Sequence, residues 1–281
     1  MKIKRLTTLI LGILFTASAL VGCGNTKTST ISSNAGSAKK QEIKLGITGD
    51  DHKIWDNVKE RLAKENIDLK IVSFSDYVRP NMALNDGEID ANAFQTVAYF
   101  EKFKADHKLD LTSLGYTILA PMGIYSSSLK NIKDLNDGAK VAIPNDATNG
   151  GRALLLLQDA GFIKLKDGAG ITPTVKDIAE NPKNLKIVEL VATQIPRSIK
   201  DVDAAAINNG VAVEAGYSPL KDSIYIEDVK KDSAKNYFNI IAVKTKDKDN
   251  AALKKLIQVY QSEETKKLIE ETYKGSSIPA F

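Results

Sequence analysis

From Glu42 onward the chain alternates short β-rich runs with stretches whose apolar residues recur at helical spacing. EIKLGIT (42–48), IDLKIVSF (67–74), EIDANAF (88–94), AKVAIPN (139–145), NLKIVEL (184–190), VDAAAIN (202–208) and FNIIAVK (238–244) read as strands. KIWDNVKERLAKEN (53–66) sets Ile54, Trp55, Val58 and Leu62 on one helical face, and RPNMALNDG (79–87) carries Pro early and Gly last. TVAYFEKFKADH (96–107) and GRALLLLQDAG (151–161) complete the pattern, and a long polar-faced helical stretch ends the chain. Such alternation predicts an α/β fold with mixed, mostly parallel sheets flanked by helices. Roughly 240 residues follow position 41, more than most single cores hold, so two lobes are expected. The predicted crossings lie near 120–123 and 237–239. They give one lobe of 42–120 plus 239–281 and another of 121–238.

The first 41 residues do not fit this pattern. Lys2, Lys4 and Arg5 precede the mostly apolar stretch LTTLILGILFTASALV (6–21), which is short for a membrane span. Residues 1–22 therefore read as a signal peptide. The exit LVGC puts Cys23, the sole cysteine, where a bacterial lipobox would place it for lipid attachment. A single thiol excludes an intramolecular disulfide framework. Residues 23–41 are rich in Ser, Thr, Asn, Gly and Lys and read as a flexible leash behind the anchor. The formal charge of +4 includes the three leader cations, which leaves +1 for the remainder and nothing that points to nucleic acid. A lipid-anchored protein on the extracytoplasmic face is expected.

Parallel sheets bind ligands outside the carboxyl ends of their strands. Those ends carry Tyr77, Asn92, Phe94, Gln95, Asn145, Arg152, Asn208, Asn209 and Asn239. Aromatics and amides around one arginine suit a small zwitterion with an apolar tail. Arg152 follows the turn-rich PNDATNGG and reads as opening a helix, where free N–H groups favour an anion and a guanidinium adds a two-pronged carboxylate partner. Its alternative is a surface arginine beside an ordinary cap. The aromatics have core packing as their alternative, and the asparagines have backbone hydrogen bonding. Catalytic machinery is not legible. The only histidines, His52 and His107, share no motif, and metal-ligand spacings and a phosphate loop are missing. No enzyme activity, cofactor or metal is expected.

YVRPNMALNDGEIDANAFQTVAYF (77–100), VAIPNDATNGGRALLLLQDAGFIKL (141–165), DAAAIN (203–208) and NIIAVKTKDKDN (239–250) resemble the methionine-binding (NlpA/MetQ) lipoprotein family. The resemblance runs from about residue 42 to the terminal GSSIPAF. It implies a two-lobed, type II periplasmic-binding-protein-like fold with the ligand in a cleft between lobes. It further implies a monomer that captures an amino acid and delivers it to the permease of an ABC importer. The family's ligand-holding positions match Tyr77, Phe94, Tyr99, Arg152, Asn208 and Asn239. Many members carry histidine where this chain has Thr96, which also falls at the pocket edge. L-Methionine is the expected ligand; D-methionine, a methionine-containing dipeptide, another sulfur amino acid or an adhesin role are the alternatives.

Overall fold

The computed structural model describes residues 40–50 and 52–281. The signal peptide, Cys23 and the leash to residue 39 lie outside the described residues; Gln41, assigned above to the leash, already begins the first strand. The chain runs through β1 (Gln41–Thr48), α1 (Lys53–Ala63), β2 (Ile67–Phe74), α2 (Arg79–Asp86), β3 (Ala91–Asn92), α3 (Val97–His107) and β4 (Leu111–Leu119). It continues with β5 (Gly123–Tyr125), β6 (Lys140–Pro144), α4 (Ala147–Asp159), β7 (Lys164–Leu165), β8 (Ile178–Glu180), β9 (Lys186–Leu190) and β10 (Ala204–Ile207). Then follow α5 (Asn209–Glu214), α6 (Pro219–Asp222), β11 (Tyr225–Ile226), β12 (Phe238–Lys244), α7 (Ala251–Tyr260), α8 (Glu263–Tyr273) and β13 (Ile278–Pro279).

Two main sheets result. The first has the order β13-β4-β12-β3-β1-β2, and the second β11-β5-β10-β6-β9. The strands of the first come from 41–119 and 238–279, those of the second from 123–226. Parallel pairing is confined to the crossover units, β1 with β2 and β3, and β6 with β9 and β10. The other neighbours are antiparallel. The expectation of mostly parallel sheets is corrected here. β4 leads the chain out of the first sheet and β12 leads it back, so the two lie side by side in opposite directions.

The sequence accounts for both cores. Alternate residues of β1 point Ile43, Leu45 and Ile47 to the face where α1 lays Trp55, Val58 and Leu62. Val58, Leu62 and Leu69 are fully buried, and each such side chain contributes about 1.5–3 kcal/mol. Trp55 meets Tyr260 of α7 at 4.7 Å between ring centroids. In the second sheet Val141 and Ile143 pack with Leu154, Leu156 and Leu157 of α4.

α4 begins four residues earlier than the sequence reading placed it. Gly150 and Gly151 looked like turn residues, yet both are helical and buried. A Cβ on Gly150 would lie 2.6 Å from the Pro144 carbonyl oxygen, and one on Gly151 would lie 2.8 Å from Thr172 Cα. The glycines serve close backbone approach rather than a turn. Arg152 therefore sits in the second turn of α4, not at its opening.

Candidate functional site

A cavity of about 190 Å³ lies where the carboxyl ends of β1, β3 and β10 meet the start of α4. Its wall includes the seven residues that the family resemblance points to, Tyr77, Phe94, Thr96, Tyr99, Arg152, Asn208 and Asn239; of the other strand-end residues, Gln95 and Asn209 line it and Asn92 and Asn145 do not.

One side is aromatic. The centroids of Tyr77, Phe94 and Tyr99 form a near-equilateral triangle with sides of 5.9, 6.1 and 6.0 Å. The Tyr99 hydroxyl donates to the Tyr77 carbonyl at 2.9 Å, and its ring stacks on Phe103 at 5.6 Å. Burial pushes the Tyr77 and Tyr99 phenols well above their usual range, so both rings stay neutral. Thr96 caps α3: its Oγ1 accepts from Tyr99 N–H at 3.2 Å, and its backbone bridges to Asn239. This hydroxyl has a structural task of its own, the satisfaction of a free N–H in the first turn.

Beneath the aromatics lies an amide cluster. Asn81 Nδ2 donates to Gln95 Oε1 at 2.8 Å, while Gln95 Nε2 donates to Asn81 Oδ1 at 2.7 Å and Asn92 Oδ1 at 2.9 Å. Asn92 Nδ2 donates to Asn81 Oδ1 and the Pro80 carbonyl. All three are buried and mutually satisfied, so Asn92 and Gln95 hold the strand end to α2. Asn145 is exposed and outside the cavity wall. Asn209 donates to the Ser276 carbonyl at 2.7 Å and accepts from Ser277 at 3.2 Å, which ties the C-terminal segment to α5.

The opposite side is polar. The Asp146 carboxylate caps α4 by accepting from Asn149 N–H at 2.9 Å, and it also takes the Asn149 side-chain amide at 3.0 Å. That fixes Asn149 Oδ1 as an acceptor, and Asn208 Nδ2 donates to it at 2.7 Å. The relay engages Asn208 Nδ2 and leaves Asn208 Oδ1 outside it. Among the described residues this oxygen is buried with no hydrogen-bond partner. A buried acceptor left alone costs about 1–3 kcal/mol, which a cationic donor in the cavity would offset.

Arg152 is only 3% exposed, so the surface alternative is excluded. Its Nε donates to Glu227 Oε1 at 3.0 Å, its Nη2 bonds Glu227 Oε2, and Nη2 also donates to the Ala120 carbonyl at 3.0 Å. The guanidinium lies 4.1 Å from the Tyr237 ring centroid. The two-pronged edge that the sequence reading offered to a ligand is thus taken by Glu227. Nη1 has no partner among the described residues. Asn239 Nδ2 donates to the Ile118 carbonyl at 3.3 Å.

Glu227, Tyr237 and Asn149 were not found from the sequence. Glu227 lies 75 residues beyond Arg152 in the chain, and no local spacing marks it. Asn149 belongs to PNDATNG, whose residue types signal a turn as readily as the helix cap that Asp146 forms. Among the described residues no group of three or more His, Cys, Asp or Glu is placed to hold a metal ion.

The family described as NlpA lipoprotein matches residues 43–281. D-methionine-binding lipoprotein MetQ of Escherichia coli K12 is 42% identical over 286 aligned positions, covering 100% of both chains. Among solved structures, protein PG110 from Staphylococcus aureus is 48% identical with a TM-score of 0.83, covering 85% of this chain and 94% of that one. A nutrient binding protein from Burkholderia cenocepacia bound to methionine is 46% identical with a TM-score of 0.81, covering 85% and 100%.

Proposed function

The chain belongs to the NlpA lipoprotein family, and from that premise we propose that it captures methionine between two lobes and delivers it to the permease of an ABC importer. The lobes are 42–120 with 239–281, and 121–238. The observation that carries the reading is the pairing of the aromatic triangle with Asn208, whose Oδ1 lacks a partner, and Arg152 in the wall of one cavity. Tyr77, Phe94 and Tyr99 wall the thioether, and sulfur against aromatic rings contributes about 0.3–1.5 kcal/mol. Asn208 Oδ1 accepts from the ammonium, and Nη1 donates to the carboxylate. Asn239 lines the carboxylate side, and Thr96 borders the side-chain end through the α3 cap. Lobe closure around the ligand shifts a two-state population toward the form the permease reads. Lipid on Cys23 and the leash hold the monomer at the extracytoplasmic face of the membrane. Turnover has no part in this reading.

Calorimetry on ligand-stripped protein with methionine, norleucine, glutamate and lysine tests the pocket. Methionine binds most tightly and norleucine at most about tenfold to two-hundredfold more weakly, because one methylene-sized change in an apolar pocket is worth about 1–3 kcal/mol. Glutamate or lysine binding more tightly than methionine overturns the reading.

A further inference from the structure

The structure assigns a positioning and charge-balancing role to Glu227, a role that rests on the zwitterion reading of the cavity. Glu227 lies just after β11, on the segment that leads back from the second sheet to the first. Its carboxylate takes both Nε and Nη2 of Arg152. The same carboxylate accepts from Met122 N–H at 3.1 Å, and Glu227 N–H donates to the Met122 carbonyl at 3.0 Å. Met122 belongs to the outgoing segment between β4 and β5, and so does Ala120, which accepts from Arg152 Nη2. Tyr237, which faces the guanidinium, ends the return segment. One ion pair therefore joins both connections between the sheets and sets the plane of the guanidinium.

Two consequences follow for the ligand. The two-pronged edge of Arg152 is filled, so a ligand carboxylate reaches this residue at Nη1 alone. The pair is also formally neutral, and the Glu227 side chain is only 13% exposed. A carboxylate entering beside Arg152 thus meets a positive charge already balanced by a negative one. A ligand with its own ammonium adds no net charge beside the pair, whereas a purely anionic ligand brings an unbalanced charge into a cavity whose wall already carries the carboxylates of Asp50 and Glu214. Glu227 selects for the zwitterion.

The test compares methionine with 4-(methylthio)butanoate, the same molecule without its amino group, by calorimetry on the full chain and on Glu227→Gln and Glu227→Asp. The unsubstituted protein must first bind methionine; if it does not, the functional reading falls before this one is reached. Glu227→Gln keeps the size and removes the charge. The methionine-to-butanoate affinity ratio then falls by about tenfold or more, with the butanoate binding more tightly than to the parent. Glu227→Asp keeps the charge and restores the parent ratio, although methionine binds about fivefold to tenfold more weakly because the shorter carboxylate no longer holds the guanidinium plane. A merely structural Glu227 lowers both ligands alike, and an unchanged ratio in Glu227→Gln overturns the inference. Should the amide variant fail to fold, Glu227→Asp decides alone, and methionine affinity equal to the parent's overturns it.

Discussion

Arg152→Ala is expected to damage the fold as well as the ligand site. Arg152 is 3% exposed and its two-pronged partner Glu227 is nearly as enclosed. Truncation leaves a carboxylate with one backbone donor, Met122 N–H, where it had three. Breaking one side of a buried pair costs about 3–5 kcal/mol. For a folded unit of this size each kcal/mol moves the melting temperature by about 2–4 °C, so a fall of roughly 6–20 °C is expected without ligand. Arg152→Met combined with Glu227→Leu removes both charges and leaves the Met122 N–H without its acceptor and the Ala120 carbonyl without its Arg152 donor, a loss of about 1 kcal/mol each. The double variant should recover to within about 2 kcal/mol of the parent while binding no ligand tightly. Urea denaturation of the three stripped proteins measures this directly. A single variant within about 1 kcal/mol of the parent, or a double variant no better than the single, refutes the buried-pair account.

Gly151→Ala drives a Cβ to within 2.8 Å of Thr172 Cα, so α4 or the 172–173 segment must shift; a loss of about 1–3 kcal/mol is expected in thermal melts, and an unchanged or raised melting temperature contradicts it. Asn208→Ala removes the unpartnered acceptor, and with it the donor to Asn149 Oδ1, so methionine affinity should drop about tenfold to a hundredfold, and an unaltered titration removes the ammonium role. Cys23→Ala should release the protein from membranes while leaving binding intact, and retention after a high-salt wash would count against the anchor.

What the sequence disclosed depended on range. The short helix α2 was legible from Pro80 and Gly87 because capping chemistry is local. β1 and β2 stood out because apolar residues recur through both, and of these Ile43, Leu45 and Ile47 of β1 and Ile67 and Leu69 of β2 are buried. EIDANAF reads as a seven-residue strand yet pairs only at Ala91 and Asn92, because the flanking residues turn into the amide cluster and the α3 cap. The start of α4 was missed because two glycines in a row signal a turn, whereas Pro144 and Thr172, brought close by the fold, demand them. The aromatic and amide residues of the cavity could be named from strand ends, but their pairing could not. Glu227 illustrates the limit: its identity as the partner of Arg152 is set by the crossing of two distant segments and leaves no trace in either segment alone.

The central claim is that the cavity between the sheets holds a methionine-like amino acid. Mass spectrometry of small molecules released when the purified protein is denatured tests it most directly, since a closed binding protein retains its ligand through purification. The account predicts methionine or a close thioether relative at a ratio near one per chain, reduced at least tenfold in protein carrying Asn208→Ala. Release of an acidic or basic amino acid in that proportion, or of methionine in equal amount from the Asn208→Ala protein, would contradict it.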